Sequence, residues 1–291
     1  MAKKCLMIVN PISGLGFGRR NAPRLEALLR EHDYEVELLW TMAKGSARAA
    51  AKEADPDDVS VILSVGGDGT LNEVVNGVGD KNIPVTIFPT GTGNVLAKEY
   101  GIPYSVRRVC DMILQGKTEM LDVGDIGGRR FLLFAGAGFD AAVAMSLYQS
   151  RTGRITMLNY VGPTLKALFT YRFPQMQVTV DGKPAGAATC ALISNVHSYG
   201  GPFGFLEEAD PTDGLLDICL MRGRRRKDLV RYIWGGLRRH ILDYDDTSHL
   251  RGKSVELASD DELPIQADGD FIGKLPVRIE LLPARLPLIV P

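Results

Sequence analysis

Apolar runs and helix-period stretches alternate through the first third of the chain. Residues 4–10 form a short apolar run closed by Asn10-Pro11, the pattern of a buried strand. Residues 19–32 carry Leu25, Leu28 and Leu29 at helical spacing, and residues 36–41 read as the next strand. An Ala-rich helix follows at 46–53, then a buried strand at 59–65, a short helix at 71–78 and a strand at 84–88. Residues 106–114 close the series with Val106, Val109, Ile113 and Leu114 on one helical face. Strands alternating with helices predict an α/β domain over 1–122, its parallel sheet covered on both faces. In such sheets ligands bind outside the carboxyl ends of the strands.

From about Asp122 the rhythm changes. Met176, Val178 and Val180 alternate, Asp181-Gly182 supplies a hairpin turn, and 185–195 runs back as one strand. Residues 215–221, 254–258, 264–267 and 276–282 are further strands. The stretch 131–148 is apolar but broken by Gly136, Gly138 and Asp140, so it reads as strand–turn–helix and not as a membrane span. These features predict a β-rich, sandwich-like domain over 123–291 with helical insertions near 140–150, 156–170 and 226–240. Its last segment, 284–291, is expected to pack back on the first domain. The cleft between the domains is the default active site.

Three predicted strand ends carry glycine-rich turns: residues 10–18 (Asn-Pro-Ile-Ser-Gly-Leu-Gly-Phe-Gly), 66–70 (Gly-Gly-Asp-Gly-Thr) and 90–94 (Thr-Gly-Thr-Gly-Asn). One such loop is an ordinary turn; three at one sheet edge point to a phosphate-bearing ligand. Without Cβ atoms the backbone can touch a phosphate, and successive N–H groups form an anion-binding concavity. Each loop also leads into a helix, whose first turn has free N–H donors. A carboxylate at such a site, Asp68, is repelled by phosphate unless a cation intervenes, so it implies Mg²⁺. Thr70 and Glu73 fit the S/T-x-x-E capping box, leaving Glu73 either a helix cap or a nucleotide contact. GxxxxGK[ST] is absent. Residues 136–141 mimic GxGxxA without the acidic residue that a ribose requires, so a Rossmann dinucleotide site is a poor reading.

Three Asp-Gly pairs occur in the second half, at 181–182, 213–214 and 268–269, and each alone reads as a turn. Asp213 belongs to a run of five carboxylates in residues 207–217 (Glu207, Glu208, Asp210, Asp213, Asp217). Such crowding is costly unless solvated or neutralised by a hard cation. Asp268 and Asp270 flank one glycine, a candidate general base and its neighbour.

The chain has 291 residues, 32 of them glycine, and 34 Lys+Arg against 35 Asp+Glu for a net charge of −1. That balance argues against a nucleic-acid partner. Local charge is different. Residues 222–240 hold eight Arg/Lys with Tyr232, Ile233 and Trp234 interleaved, and residues 151–174 hold four bases and no acid beside Tyr160, Leu165, Leu168, Phe169, Tyr171 and Phe173. Both read as a membrane-surface footprint or as solvated helix faces. Cys5, Cys110, Cys190 and Cys219 lie far apart, without ligand spacing, and predict reduced, mostly buried thiols of a cytoplasmic protein. The five apolar residues before Asn10-Pro11 are too few for a secretory h-region, so no leader is expected.

Taken in order, Asn10-Pro-x-Ser13-Gly14, then residues 66–73 (GGDGTLNE), then residues 89–94 (PTGTGN), then Asp213-Gly-Leu-Leu-Asp217 and Asp268-Gly-Asp270 resemble the diacylglycerol kinase catalytic-domain family of soluble bacterial lipid kinases, related to sphingosine and ceramide kinases. GGDGT alone is shared with NAD kinases and phosphofructokinases; the combination, spanning nearly the whole chain, is more specific. The resemblance implies an NAD kinase/phosphofructokinase-like α/β domain and a β-rich lipid domain, with ATP and Mg²⁺ between them. It implies ATP contacts from Asn10, Ser13, Gly14, Thr41, Gly66, Gly67, Asp68, Gly69, Thr70, Asn72 and Thr92. It makes Asp270 the base for a lipid hydroxyl, with Asp268 a candidate for part of that work, because the family often has Glu where this chain has Asp270. Asp213 and the carbonyls of Asp210 and Leu215 would hold a structural Mg²⁺. The expected partner is a lipid substrate, diacylglycerol or a related alcohol, met peripherally at the membrane surface; a homodimer stays open. Two rival readings are a soluble-metabolite kinase such as an NAD kinase and a non-catalytic lipid- or nucleotide-binding regulator.

Overall fold

The computed structural model describes residues 3–150, 158–200 and 203–291. The chain divides into two compact units, Met1–Leu121 with Ala284–Pro291, and Asp122–Pro283.

In the first unit the elements run β1 (Lys3–Val9), α1 (Phe17–Glu31), β2 (Tyr34–Trp40), α2 (Ser46–Glu53), β3 (Val59–Gly66), α3 (Asp68–Val78), β4 (Val85–Pro89), α4 (Val95–Glu99) and α5 (Val106–Gln115). The strands form a parallel sheet in the order β2-β1-β3-β4. Cys5, Met7, Ile8 and Val9 of β1 and Ile62, Leu63 and Val65 of β3 are fully enclosed, as a sheet sandwiched by helices requires. Helix α1 buries Ala22, Leu25 and Leu29 and packs on α5, while α2 packs on α3. The α2–α3 contact depends on Gly77, where an added Cβ would lie 2.3 Å from the Arg48 carbonyl oxygen and 2.8 Å from the Ala51 Cβ.

Three strands and two helices follow: β5 (Thr118–Ile126), β6 (Arg129–Phe131), β7 (Phe134–Ala137), α6 (Phe139–Ser150) and α7 (Leu158–Thr170). Then come β8 (Met176–Val180), β9 (Lys183–Ala188), β10 (Cys190–Ser194), β11 (Ser198–Gly200), β12 (Phe203–Gly204) and β13 (Leu216–Met221). The chain ends with α8 (Arg226–Arg238), β14 (Thr247–Gly252), β15 (Ser254–Ala258), β16 (Pro264–Ala267), β17 (Asp270–Lys274) and β18 (Val277–Ile289). In the second unit an antiparallel sheet β14-β13-β10-β7-β16-β17 and a second with β18-β15-β8-β9 enclose a core of Phe131, Met176, Ile193, Ile218, Leu257, Ile265 and Ile279. The fold is therefore a parallel α/β domain followed by an antiparallel β sandwich.

Two expected segments differ. The strand at 185–195 is two strands in two sheets, β9 paired with β8 and β10 with β13 and β7. The break falls at buried Thr189, whose hydroxyl donates to the carbonyls of Met221 (3.1 Å) and Gly223 (2.7 Å), pulling the chain toward the other sheet. The strand expected at 276–282 runs on to Ile289 as β18; its last residues pair with β4 (Leu288 with Val85), and the Thr86 hydroxyl bonds the Ile289 carbonyl at 3.1 Å. All four cysteines are buried and unpaired, and among the described residues no helix is long and apolar enough to cross a membrane. Arg151 and Arg154 lie outside the described residues.

Because the Arg48 carbonyl is held in α2, Gly77→Ala forces the two helices apart. Overpacking of this kind costs about 1–3 kcal/mol, so the variant is expected to unfold at lower denaturant concentration with an unchanged slope.

Candidate functional site

The three glycine loops meet at the carboxyl edge of the parallel sheet. Asn10 follows β1, and its Nδ2 donates to the Thr70 hydroxyl at 3.1 Å. Thr90 follows β4; its hydroxyl bonds the Ser13 hydroxyl at 2.9 Å, and its N–H donates to the Gly66 carbonyl at 2.8 Å. Each loop thus touches the other two. Gly14 sits at φ +56°, and a Cβ there would fall 2.0 Å from the Thr90 carbonyl oxygen. The third loop is closed by Asn94, which accepts from the Gly91 N–H (2.8 Å) and donates to the Gly91 carbonyl (2.9 Å). Thr41 joins the same edge through its N–H to the Val9 carbonyl, 2.8 Å. Gly69 and Thr92 are exposed, and Gly67 is half-buried. Asn72 is buried in α3, its side-chain oxygen accepting from Asn76 at 3.2 Å.

The capping box does not form. Helix α3 begins at Asp68, three residues before the predicted start, which puts Thr70 inside its first turn. Glu73 reaches instead to the next helix, accepting from the N–H groups of Gly45 (2.9 Å) and Ala47 (3.1 Å) at the start of α2. Both of its oxygens are thereby engaged in holding α2 to α3.

Asp68 lies against the start of α4. The Asp68 Oδ1 is enclosed with no hydrogen-bond partner. Burial pushes its pKa above the usual 3.8, although the backbone N–H groups of Leu96, Val95 and Asn94 favour the charge. Folding around this charge therefore costs stability.

In the second unit the turn Asp268-Gly269 joins β16 to β17 with both residues at positive φ, +49° and +83°. The Asp268 carboxylate accepts from three successive N–H groups, Leu132 (2.9 Å), Leu133 (2.9 Å) and Phe134 (3.1 Å). It is a clamp between the hairpin and the chain entering β7. A second hold on the turn is Gln266, which accepts from the Gly269 N–H at 2.8 Å and donates to Asp140 at 2.7 Å. Asp270, at the start of β17, keeps a half-exposed carboxylate 3.1 Å from Arg129 of β6. Arg129 went unread in the sequence; after Gly127-Gly128 it looks like any exposed hairpin base.

The acidic run 207–217 does not gather around a cation. Asp213 spends Oδ1 on the Leu215 N–H (2.9 Å) and Oδ2 on Arg251. Asp210 accepts from the N–H and hydroxyl of Thr212, and its carbonyl accepts from the Asp213 N–H. Buried Asp217 faces His249 at 2.5 Å and Arg251 at 3.3 Å, and Glu207 faces Arg239. Among the described residues no three acidic, His or Cys side chains converge as metal ligands. Side-chain cations thus face this run in the structure, and the Mg²⁺ expected at Asp213 and the carbonyls of Asp210 and Leu215 stays a proposal.

Three mutually bonded glycine loops on a parallel sheet form an edge suited to a phosphate-bearing ligand, and an antiparallel β unit follows them in the chain. The sequence family described as "Diacylglycerol kinase catalytic domain" matches residues 4–126, and the "YegS C-terminal NAD kinase beta sandwich-like domain" matches residues 134–290. A diacylglycerol kinase of Mycobacterium tuberculosis (strain CDC 1551 / Oshkosh) is 29% identical over 299 residues, covering 99% of this chain and 95% of that protein. One of Bacillus subtilis (strain 168) is 25% identical over 293 residues, covering 99% and 97%. A solved diacylglycerol kinase structure from Bacillus anthracis str. Sterne shares the fold with TM-score 0.77 at 23% identity, covering 100% of this chain and 97% of that one. The chain belongs to the diacylglycerol kinase catalytic-domain family and is a lipid kinase.

Two outcomes follow from the carboxylates. With its folded pKa raised, Asp68 favours the folded state when protonated, and that stability is lost as pH rises from about 3.9 through the folded value. Asp68→Asn is expected to melt above the wild type at pH 7, the gap closing as pH falls below 4. Asp268→Ala strands three N–H groups and is expected to lose about 2–4 kcal/mol in denaturant titration, whereas Asp270→Ala, which removes the half-exposed partner of Arg129, is expected to lose less.

Proposed function

We propose that this lipid kinase transfers the γ-phosphate of ATP to the hydroxyl of diacylglycerol or a related lipid alcohol held at a membrane surface. The observation that carries the reading is the mutual bonding of the three glycine loops. Their close approach leaves a rigid edge lined by N–H groups and small hydroxyls, suited to a polyphosphate. In this reading Asn10, Ser13, Gly14, Thr41, residues 66–70 and Thr92 surround the nucleotide, while Glu73 holds α2 to α3.

Asp68 suits a cation that travels with the nucleotide. Mg²⁺ keeps several waters and needs only one or two carboxylates beside phosphate oxygens, and the partnerless Oδ1 is such a donor. Bound there, Mg²⁺ would neutralise charge on the β- and γ-phosphates. Asp270 accepts the proton of the lipid hydroxyl. Arg129, 3.1 Å away, holds that carboxylate in one orientation. Asp268, Gln266 and Asp140 fix the turn from which it projects. Phosphoryl transfer asks mainly for positioning and charge neutralisation, and these residues supply both. The 25–29% identical relatives named diacylglycerol kinase support the acceptor class.

The test is transfer of labelled phosphate from ATP and Mg²⁺ to a lipid panel in mixed micelles. Wild type is expected to label diacylglycerol or a neighbouring lipid alcohol, with Asp270→Ala slower by about 10²–10⁴-fold. Equal rates for wild type and Asp270→Ala would remove Asp270 as the base. Labelling of a soluble acceptor and no lipid would overturn the acceptor assignment.

A further inference from the structure

Arg129 and Asp270 face each other from two separate hairpins, and only part of Arg129 is spent on the contact. Its Nη2 donates to the Asp270 Oδ2 at 3.1 Å. Among the described residues the other donors of this guanidinium have no partner, and Nε is enclosed besides. The side chain as a whole is 36% exposed.

The placement of Arg129 is built into the chain. Gly127 and Gly128, at φ +60° and +86°, make a two-residue turn that Ile126 and Arg129 close as a pair. The Gly128 N–H donates to the Asp125 Oδ1 at 2.9 Å. On the same hairpin the Phe131 ring lies over Gly124, where an added Cβ would meet its Cζ at 2.0 Å. Phe131 is fully buried in the sandwich core. One hairpin thus anchors Arg129, as the clamped turn at Asp268 anchors Asp270.

We propose that Arg129 is a catalytic residue of the transfer. While Nη2 holds Asp270, the uncommitted donors bind an oxygen of the phosphoryl group and, afterwards, the phosphomonoester of the product. The inference deepens the lipid-kinase reading and rests on it. A charged N–H left unpaired inside a native structure calls for a reason, and the chemistry at Asp270 supplies one. The acceptor hydroxyl gives its proton to Asp270, and its oxygen contributes the electron pair of the new O–P bond. The bond from phosphorus to the leaving oxygen breaks, and that pair departs on ADP. The phosphoryl group therefore ends one bond beyond the oxygen that Asp270 touches. Two anions must meet there, and their repulsion is removed by a cation bonded to both. Arginine suits the task because its guanidinium stays protonated and offers several N–H groups in a fixed fork. One of them holds the carboxylate while another takes a phosphoryl oxygen, whose charge is spread over three positions.

The first measurement is equilibrium binding of dioctanoyl phosphatidate and of dioctanoylglycerol to the full chain. Arg129→Gln is expected to weaken phosphatidate binding roughly ten-fold or more and to leave dioctanoylglycerol binding unchanged. Equal weakening of both lipids, or of neither, would overturn the proposal. The second measurement is a double-mutant cycle on transfer of labelled phosphate. Arg129→Gln is expected to lower kcat by about 10²-fold, the effect of one transition-state donor, with KM for the lipid little moved. The same loss is expected in an Asp270→Asn background. A residue that only orients Asp270 has nothing left to do there, so disappearance of the loss would overturn the proposal. Arg129→Lys keeps the charge without the fork; it is expected to fall between wild type and Arg129→Gln, and it carries both tests where Gln disturbs folding. Wild type that labels no lipid but binds phosphatidate through Arg129 would remove the acceptor reading and leave the phosphate contact standing. Wild type that labels lipid, with no loss in the Asp270→Asn arm, would remove the contact alone.

Discussion

At the carboxyl edge of the parallel sheet the main chains of Gly67 and Gly91 run so close that a methyl group on Gly91 would lie 2.6 Å from the Gly67 Cα. A Cβ on Gly91 does not fit without a backbone shift, and one on Gly67 would stand a tight 3.0 Å from the Gly91 Cα. That approach permits the Thr90 N–H to reach the Gly66 carbonyl and brings Thr90 to Ser13, so that the first loop is seated on the third. Glycine is entropically costly, about 0.5–1 kcal/mol per position relative to Ala in regular structure. The fully enclosed β1 and β3 beneath offset that cost by burial. A side chain at these crossings would separate the loops and disperse their N–H groups, so the same absence of Cβ atoms serves packing and anion binding.

The edge built this way also carries a charge that the fold would rather neutralise. Asp68 has an enclosed oxygen without a partner and a pKa raised by burial. Glu73, one turn further along α3, shows the contrast: its two oxygens meet two N–H groups and bind α2 in place. Two carboxylates on one short helix thus divide into one that stabilises and one that costs stability. Strain of this second kind persists where function demands it.

Periodicity made the first unit legible because β1, β3 and β4 are buried on both faces, the edge strand β2 alternates buried with exposed positions, and α1 and α5 each show one apolar stripe. Helix 46–53 and strands 254–258 and 264–267 were read to the residue. What escaped was non-local. No pattern at 185–195 reveals that Thr189 bonds carbonyls more than thirty residues away and so splits one apparent strand between two sheets. The S/T-x-x-E spacing at Thr70 was sound local chemistry, overruled because Gly67 could cap α3 without a side chain and Glu73 had a better partner in α2. Likewise, the crowding of residues 207–217 was visible, but its pairing with Arg251 of β14 and with Arg239 after α8 was not.

The hairpin at Asp268 brings these threads together. In the proposed function Asp270 is the base; it has less reach than Glu, and a freely rotating short carboxylate would be a poor one. Here the turn is held on three sides, by the N–H groups of residues 132–134 on Asp268, by Gln266 on Gly269, and by Asp140 on Gln266. Arg129 then fixes the Asp270 carboxylate itself. Lost reach is exchanged for lost freedom: proximity and orientation contribute through the restriction of motion, and a side chain with one fewer torsion, clamped at its base and tip, has less motion to surrender when a hydroxyl arrives. The two aspartates around Gly269 are thus one device, the first holding the backbone so that the second can be short.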